Sequence, residues 1–169
     1  SPDEKQAKSS DACELTPITS AANAEVKLLR SLHERKYRRK TGWFLAEGMR
    51  ICIEALQLGH APVRIVYAAG REAEPGLSTL IAACQKSGGR VLPVTEHLLS
   101  RISRKDNAQM VIGAFVQKWT KIDEINACLS SAGCWVALDR VRDPGNLGTI
   151  LRTADAAGAS GIILIDDCT

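Results

Sequence analysis

Residues with catalytic or ligand-binding potential lie close together near the end of the chain, in the segment DRVRDPGNLGTILRTADAAGASGIILI (residues 139–165). Pro144 and Gly145 predict a sharp turn after a buried strand, Asn146 follows in the N-cap position of a predicted helix, and Arg152 lies deeper in that helix. In open α/β sheets, ligands collect at the carboxyl ends of strands, where helix N-termini offer free N–H groups. The spacing therefore predicts an amide and a guanidinium that serve one site.

The same residues also have a purely structural interpretation. Asn146 is a favoured N-cap residue, Asp-Pro-Gly is a common turn, and Arg152 could be an ordinary surface arginine. Gly148 is expected to let another backbone approach closely. The glycines of the segment do not form a GxGxxG pattern, so a Rossmann-type nucleotide-binding fold receives little support.

A second group of candidate residues is basic and surrounds Tyr37. Cations that hold phosphates beside a ring that stacks on a base are typical of RNA contact. The helix dipole also favours positive side chains at a helix C-terminus, so a solvated helix end is the alternative. The residues predicted to contact RNA are Arg35, Lys36, Arg38, Arg39, Lys40 and Arg50. Residues that could extend this basic patch are Arg101, Arg104 and Lys105.

Apolar periodicity and glycine stops predict the elements that position these groups. One helix begins with Thr19 or Ser20 as its N-cap and runs to the basic end at Lys40. Further helices are predicted over 49–58, 77–86, 96–101 and 118–133, and from the DPGN turn to about Ala157. Strands are predicted over 43–48, 63–69, 90–94, 110–116, 134–139 and 161–165. Because the strands alternate with helical segments, we expect crossover connections and a mainly parallel α/β sheet.

Composition sets limits on the class of protein. The chain has 169 residues, is 45% hydrophobic and has a net charge of +3, which fits a soluble globular protein without a strong global charge. The cysteines show no CxxC pair or zinc-ligand spacing, so we expect reduced thiols and no metal site. We find neither a membrane-length apolar run nor a signal peptide, and we expect a cytoplasmic protein.

The predicted elements indicate two domains of unequal completeness. Residues 1–17 have the composition of a disordered tail, 18–117 form an α/β domain, 118–133 form a connecting helix, and 134–169 begin a second domain. The second domain contains a single βαβ unit, and a two-stranded parallel sheet leaves its edges unpaired. We therefore expect this domain to be incomplete.

The segment ALDRVRDPGNLGTILRTADAAGASGIILI (residues 137–165) resembles the first signature motif of the SpoU (TrmH-like) RNA ribose 2′-O-methyltransferases, members of the SPOUT superfamily. Upstream, KYRRKTGWFLAEGMRICIEAL (residues 36–56) is similar to the start of the family's small RNA-binding domain, an α/β module related to ribosomal protein L30e. The resemblance spans nearly everything from residue 20 to 167. It implies an L30e-like N-terminal domain followed by the first βαβ part of a trefoil-knot methyltransferase domain.

The resemblance also implies the chemistry. The family methylates a ribose 2′-hydroxyl of tRNA or rRNA with S-adenosylmethionine as cofactor, and its members typically dimerise. The resemblance further implies that Asn146 helps shape the active site and that Arg152 acts at the ribose hydroxyl. The cofactor-binding residues are expected beyond Thr169, so we expect the 169-residue chain by itself to bind the cofactor poorly and to transfer no methyl groups.

Two other function classes stay open at this point. One is an RNA-binding module without catalytic activity, which a natural stop codon after Thr169 would favour over the enzyme. The other is a small-molecule enzyme of flavodoxin-like design, which would need a phosphate-binding loop that we do not find.

Overall fold

The structure is a computed structural model that describes residues 16–106, 108–121, 123–125 and 133–168. Contacts within the chain separate two units, Ser1–Lys118 and Trp119–Thr169. The predicted disordered tail lies outside the described residues up to position 15, and Ile18 already pairs with Val94 beside a strand. Within the predicted helix over 118–133, residues 118–121 are not helical and 123–125 are, while 122 and 126–132 lie outside the described residues.

The first unit alternates helices and strands along most of its length. Its helices are α1 (Ala24–Ser31), α2 (Arg35–Thr41), α3 (Met49–Gln57), α4 (Leu77–Lys86) and α5 (Glu96–Ser103). Its strands are β1 (Trp43–Glu47), β2 (Arg64–Ala68), β3 (Arg90–Val94) and β4 (Val111–Val116). The strands form one four-stranded sheet in the order β1-β4-β2-β3.

The prediction of a mainly parallel sheet is wrong for this unit. Strands β2 and β3 are parallel, but β4 lies between β1 and β2 and is antiparallel to both. Alternation of apolar strands with helices does not fix strand direction, because a connecting helix can return the chain to either end of the sheet. The fold class itself, a mixed α/β domain, is confirmed.

The single basic-ended helix that we predicted is also wrong, because the chain breaks between α1 and α2. Asn23, rather than Thr19 or Ser20, caps α1 by accepting a hydrogen bond from the Glu25 N–H at 2.9 Å. After α1 ends, His33 Nε2 lies 2.7 Å from the Ile102 carbonyl oxygen, and the Arg38 guanidinium donates to the His33 carbonyl at 2.8 Å. These contacts fix a corner that sequence periodicity does not reveal.

Hydrophobic residues pack on both faces of the sheet, because successive strand residues point to opposite sides. Val66 and Ala68 of β2 pack with α1 and α5 on one face, and Ile65 and Tyr67 pack with α3 and α4 on the other. The sheet therefore lies between two helical layers.

The second unit is the predicted βαβ arrangement. Strand β5 (Trp135–Asp139), helix α6 (Pro144–Ala156) and strand β6 (Gly161–Ile165) follow in order, and the two strands pair in parallel. Leu138 and Leu147 pack with Cys168 in a small apolar cluster between the helix and the strands. The helix ends at Ala156, and Gly158 follows as the stop that we predicted, in the left-handed conformation with φ of 72°.

Gly161 is a position where this unit has no room for a larger residue. A Cβ atom built there would clash with the Trp135 ring. We expect Gly161→Ala to destabilise the second unit by roughly 1–3 kcal/mol, because the ring must shift or the strands must separate. Hydrogen exchange of the β5 and β6 amides measures this loss. Ser160→Ala, at the exposed neighbouring position, is the control, and unchanged protection in Gly161→Ala would contradict the expectation.

Candidate active site and RNA-binding surface

Helix α6 begins in a way that changes the predicted role of Asn146. The Asp143 carboxylate, not Asn146, caps the helix and accepts a hydrogen bond from the Asn146 N–H at 2.6 Å. Pro144 occupies the first helical position, which it favours because it lacks an N–H group, and this sets the register. The N-cap prediction is therefore wrong. Asn146 lies exposed in the first turn, so its amide is not used in capping.

The residues that turn the chain after β5 are not Pro144 and Gly145, as we predicted, because both already belong to α6. Gly145 has no positive φ, whereas Arg140, directly after β5, has φ of 53°, and Asp166, directly after β6, has φ of 55°. Non-glycine residues with such positive φ angles are uncommon, and they concentrate at functional sites. Since β5 and β6 are parallel, both residues lie at the same edge of the sheet. Arginine gives no sequence signal for this conformation, and aspartate, although enriched in it, adopts it only occasionally, so sequence reasoning missed both.

Arg152 is exposed, and its side chain extends back along α6 toward the N-terminal end of the helix. Its Nη2 atom donates to Thr149 Oγ1 at 3.2 Å, and a Cβ built on Gly148 would lie 3.3 Å from Nη1. Gly148 therefore makes room for this guanidinium, rather than for the approach of another backbone that we expected. The structure places the guanidinium in the half of the helix that also carries Asn146. Within the described residues, its charge is not bound to a carboxylate.

The basic run, residues 35–40, contains side chains in different environments. Arg38 is partly buried and bonds the carbonyls of Leu32 and His33, so it has a structural role in the α1–α2 corner. Lys36 lies 3.3 Å from a Glu34 oxygen and over the Tyr37 ring.

The remaining predicted RNA contacts differ mainly in exposure. Arg39 and Lys40 are exposed in the last turn of α2, which ends at Gly42 with φ of 69°. Arg35 is partly buried at the start of this helix. Arg50 is exposed on α3, where it forms a loose ion pair with Glu54 at 3.6 Å. Arg39 and Lys40 are therefore the best-placed candidates for phosphate contact.

A groove of about 540 Å³ lies beside this run, and we call it the β1 groove. It is bounded by the α1–α2 corner, strand β1 and the end of α5. The residues that line it are Leu32, His33, Arg38, Phe44, Leu45, Glu47, Ser103, Arg104, Lys105 and Ile112. Arg104 and Lys105, which we considered as extensions of the basic patch, thus face the same groove as Arg38. Arg101 is exposed on α5 and does not line it.

Glu47 is the carboxylate of the groove, and its neighbours keep it ionised. Lys105 Nζ lies 2.9 Å from one carboxylate oxygen, and the Gln109 N–H donates to the other at 3.0 Å. Burial alone would raise the pKa of Glu47, but the hydrogen bond from Gln109 together with Lys105 and Ser103 holds it below its ordinary value. The Ser103 hydroxyl is buried beside the carboxylate and contributes to this lowering.

Neither a metal-binding cluster nor a membrane-spanning helix is found among the described residues. No group of three or more His, Cys, Asp or Glu side chains there could hold a metal ion. No helix among them is long and apolar enough to cross a membrane.

Comparison with known protein families identifies both units. The model of the MRM3-like substrate binding domain matches residues 23–113, and the model of the SpoU rRNA Methylase family matches residues 133–169. The chain belongs to the SpoU RNA methyltransferase family. A substrate-binding domain is thus followed by part of a SpoU domain, as we predicted from residues 36–56 and from the DPGN segment.

Individual relatives agree with the SpoU assignment. The 23S rRNA (guanosine(2553)-2′-O)-methyltransferase RlmP of Bacillus subtilis is 32% identical over 149 residues, which cover 88% of this chain and 54% of the relative. An AdoMet-bound rRNA methyltransferase from Sinorhizobium meliloti is 45% identical with a TM-score of 0.81, covering 91% of this chain and 56% of that one. The SpoU methyltransferase AviRb from Streptomyces viridochromogenes, also bound to AdoMet, is 25% identical with a TM-score of 0.68. This match covers 86% of our chain and 55% of AviRb. The chain spans about half the length of these relatives.

Proposed function

We propose that the protein carrying this chain transfers a methyl group from S-adenosylmethionine to a ribose 2′-hydroxyl of ribosomal RNA. Membership of the SpoU family supports the reaction, and the names of the relatives favour rRNA over tRNA as substrate. The observation that carries the proposal is the N-terminal half of α6. There a guanidinium without a carboxylate partner among the described residues shares an exposed surface with the Asn146 amide, close to the carboxyl ends of two parallel strands.

The described residues of the second unit do not by themselves enclose a methyl donor. Asp139, Arg140, Ile165 and Asp166 are all exposed at the ends of β5 and β6. S-adenosylmethionine, when bound, supplies a methyl group on a positively charged sulfur. The roles that fall to Asn146 and Arg152 are therefore roles toward the RNA ribose.

Arg152 is suited to electrostatic work at the ribose rather than to proton abstraction. An arginine side chain stays protonated at neutral pH, so it is a poor general base. Its planar guanidinium can hold an RNA phosphate with two hydrogen bonds and stabilise the negative charge that develops on the attacking oxygen. Asn146 offers both a donor and an acceptor, which suits it to orient the hydroxyl.

The first unit is proposed to hold the RNA. We assign residues 18–117 to an RNA substrate-binding domain and 134–169 to the start of the methyltransferase domain, with 118–133 between them. The exposed cations Arg39 and Lys40 support this assignment. We further propose a homodimer, by analogy with the family, and a cytoplasmic location, because the described cysteines are free thiols.

Alkaline hydrolysis of labelled RNA tests the proposal directly. Ribosomal RNA is incubated with the protein and S-adenosylmethionine that carries a tritiated methyl group, and is then hydrolysed with alkali. A 2′-O-methyl group blocks cleavage of the next phosphodiester, so we expect the label in alkali-stable dinucleotides. Label in mononucleotides would indicate base methylation and would contradict the proposal, as would the absence of label.

Gly148 provides a separate test of how Arg152 is positioned. We expect Gly148→Ala to push the guanidinium away from its place beside the helix and to lower the transfer rate by roughly 3- to 10-fold, which corresponds to about 1 kcal/mol in the barrier. Helix propensity should at the same time raise stability by up to about 1 kcal/mol. Transfer rates and thermal unfolding measure the two effects. Equal activity with higher stability would show that the position of this side chain is unimportant.

A further inference from the structure

The outer edge of strand β1 is not paired with another strand among the described residues. β1 lies at one end of the sheet, with β4 as its neighbour. The Gly42 carbonyl oxygen, directly before β1, accepts a hydrogen bond from the Gln117 N–H at 2.6 Å, so the backbone groups of Gly42 point toward β4. Successive residues of an antiparallel strand point these groups alternately toward and away from their partner. The residues whose backbone groups point outward are therefore Trp43, Leu45 and Glu47.

This edge can accept a further strand. The Trp43 N–H donates to Thr41 Oγ1 at 3.1 Å, so it is already used. The outward N–H groups of Leu45 and Glu47 remain for a further partner, together with the outward carbonyl groups. An unpaired edge of this kind is a template on which an extended chain can form main-chain hydrogen bonds.

The β1 groove extends to the unpaired edge. Phe44 packs against Phe115 on the face of the sheet that carries α3 and α4, with ring centroids 6.0 Å apart. Leu45 packs on the opposite face, with α1 and α5. Because both Phe44 and Leu45 line the groove, it reaches from the α1 and α5 face to the edge of β1. An extended chain that lies in this groove would therefore run beside β1.

The charges on the α1 and α5 side of the edge favour acidic side chains. The described residues that line the groove include three cations, Arg38, Arg104 and Lys105, and one carboxylate, Glu47. Lys105 Nζ lies 2.9 Å from a Glu47 oxygen, so these two charges offset each other. Arg38 and the exposed Arg104 then leave the groove with an excess of positive charge.

The α3 side of the edge is apolar. Phe44 is 37% exposed, Ile51 is 49% exposed and Leu58 is 76% exposed. A Cβ built on Gly76, directly before α4, would lie 3.4 Å from Ile53 Cδ1, so Ile53 points toward α4. Ile51 lies roughly 200° around the helix from Ile53, and Leu58 follows Ile51 by two turns. Both therefore lie on the flank of α3 that faces away from α4, which is the β1 side because α3 packs on β1 and β4.

We propose that an extended segment of a partner protein binds along β1 as a further strand of the sheet, with acidic side chains toward Arg104 and apolar side chains toward Phe44 and Ile51. Side chains of a strand alternate between the two faces, so the matching sequence alternates acidic and apolar residues. A peptide supplies the N–H and C=O groups that continue a β ladder, whereas a nucleic acid does not. The exposed apolar side chains also favour a protein partner over RNA.

Fluorescence anisotropy with designed peptides tests the proposal on the 169-residue chain. The probe is a fluorescein-labelled heptapeptide of alternating glutamate and valine with blocked ends. We expect the corresponding peptide of alternating lysine and valine to bind more than about tenfold more weakly, because its charges would face Arg38 and Arg104. Equal affinity for the two peptides would overturn the proposal.

Methylation of the peptide backbone tests the strand pairing itself. One derivative carries N-methyl groups on its valines and the other on its glutamates. Only every second amide of the bound peptide can face β1, so one derivative should lose more than about tenfold in affinity while the other binds as the parent peptide does. Loss with methylated glutamates would indicate an antiparallel strand, and loss with methylated valines a parallel one. If both derivatives bind as the parent does, or both fail to bind, the pairing is excluded.

Variants of the protein test the two faces separately. Arg104→Gln should weaken binding of the glutamate and valine peptide several-fold. Arg101→Gln, which removes an exposed cation of the same helix that does not line the groove, is the matched control. Ile51→Gln should also weaken binding several-fold, and it should leave the unfolding temperature nearly unchanged because Ile51 is exposed and glutamine is a good helix former.

The outcomes separate a peptide site from an RNA site. Unchanged peptide affinity in both Arg104→Gln and Ile51→Gln would overturn the proposal. It would also be overturned if the chain did not bind the peptide and Arg104→Gln weakened binding of an eight-nucleotide oligouridine instead, because the groove would then belong to RNA. The alkaline hydrolysis assay does not depend on the peptide and still reports on methyl transfer.

Discussion

Arg152→Lys is expected to lower the rate of ribose methylation by about 100-fold while RNA affinity stays within about twofold. Loss of one well-placed donor to a developing oxyanion typically costs this much in rate. Lysine keeps the positive charge that attracts RNA but lacks the planar fork that binds a phosphate and an oxygen together. The hydrogen bond from the guanidinium to Thr149, at 3.2 Å, should also be lost.

Steady-state kinetics separate this role from simple binding. If Arg152 acts mainly in the transition state, kcat and kcat/KM fall by the same factor and KM hardly changes. Arg71→Lys, at an exposed position paired with Glu74 on the first unit, makes the same chemical change elsewhere and should have no effect. Full activity of Arg152→Lys would exclude the role, and a rise in KM alone would reduce Arg152 to an RNA-binding residue.

Much of the fold could be predicted because its signals are local. Strands β3 and β6 have the predicted bounds, 90–94 and 161–165, and α4 spans the predicted 77–86 before the glycine stop at Gly88. The predictions that failed depend on contacts between residues far apart in the sequence. The corner after α1 depends on a contact between His33 and Ile102, and the direction of β4 depends on its neighbours in the sheet, so neither is encoded in a single window of sequence.

The candidate site was predicted in composition but not in detail. Asp143 and Asn146 are equally favoured caps, and only the preference of Pro144 for the first helical position decides between them. The part played by Gly148 could not be foreseen, because it depends on the rotamer of Arg152. Arg38 has the composition of an RNA contact but bonds the backbone, which is a property of the folded corner and not of the basic run.

Replacement of Arg39 and Lys40 by glutamine is expected to weaken RNA binding and to flatten its dependence on salt. Each cation that neutralises a phosphate contributes about 0.7–0.9 to the slope of log affinity against log salt, so the double variant should lose roughly 1.4–1.8. At about 0.1 M salt this loss corresponds to more than roughly tenfold in affinity. Both side chains are exposed, so the fold should be unaffected.

The choice of these two positions follows from the corner between α1 and α2. Arg38→Gln would remove a positive charge and, at the same time, the donor to the Leu32 and His33 carbonyls, so weaker binding in that variant would not distinguish lost charge from a loosened corner. A matched control is the pair Arg71→Gln and Lys86→Gln, which removes the same charge from exposed positions on other elements. If the control lowers the salt slope as much as Arg39→Gln with Lys40→Gln does, the RNA responds to overall charge and α2 is not its docking surface. If neither pair changes the slope, the phosphates are held elsewhere on the chain.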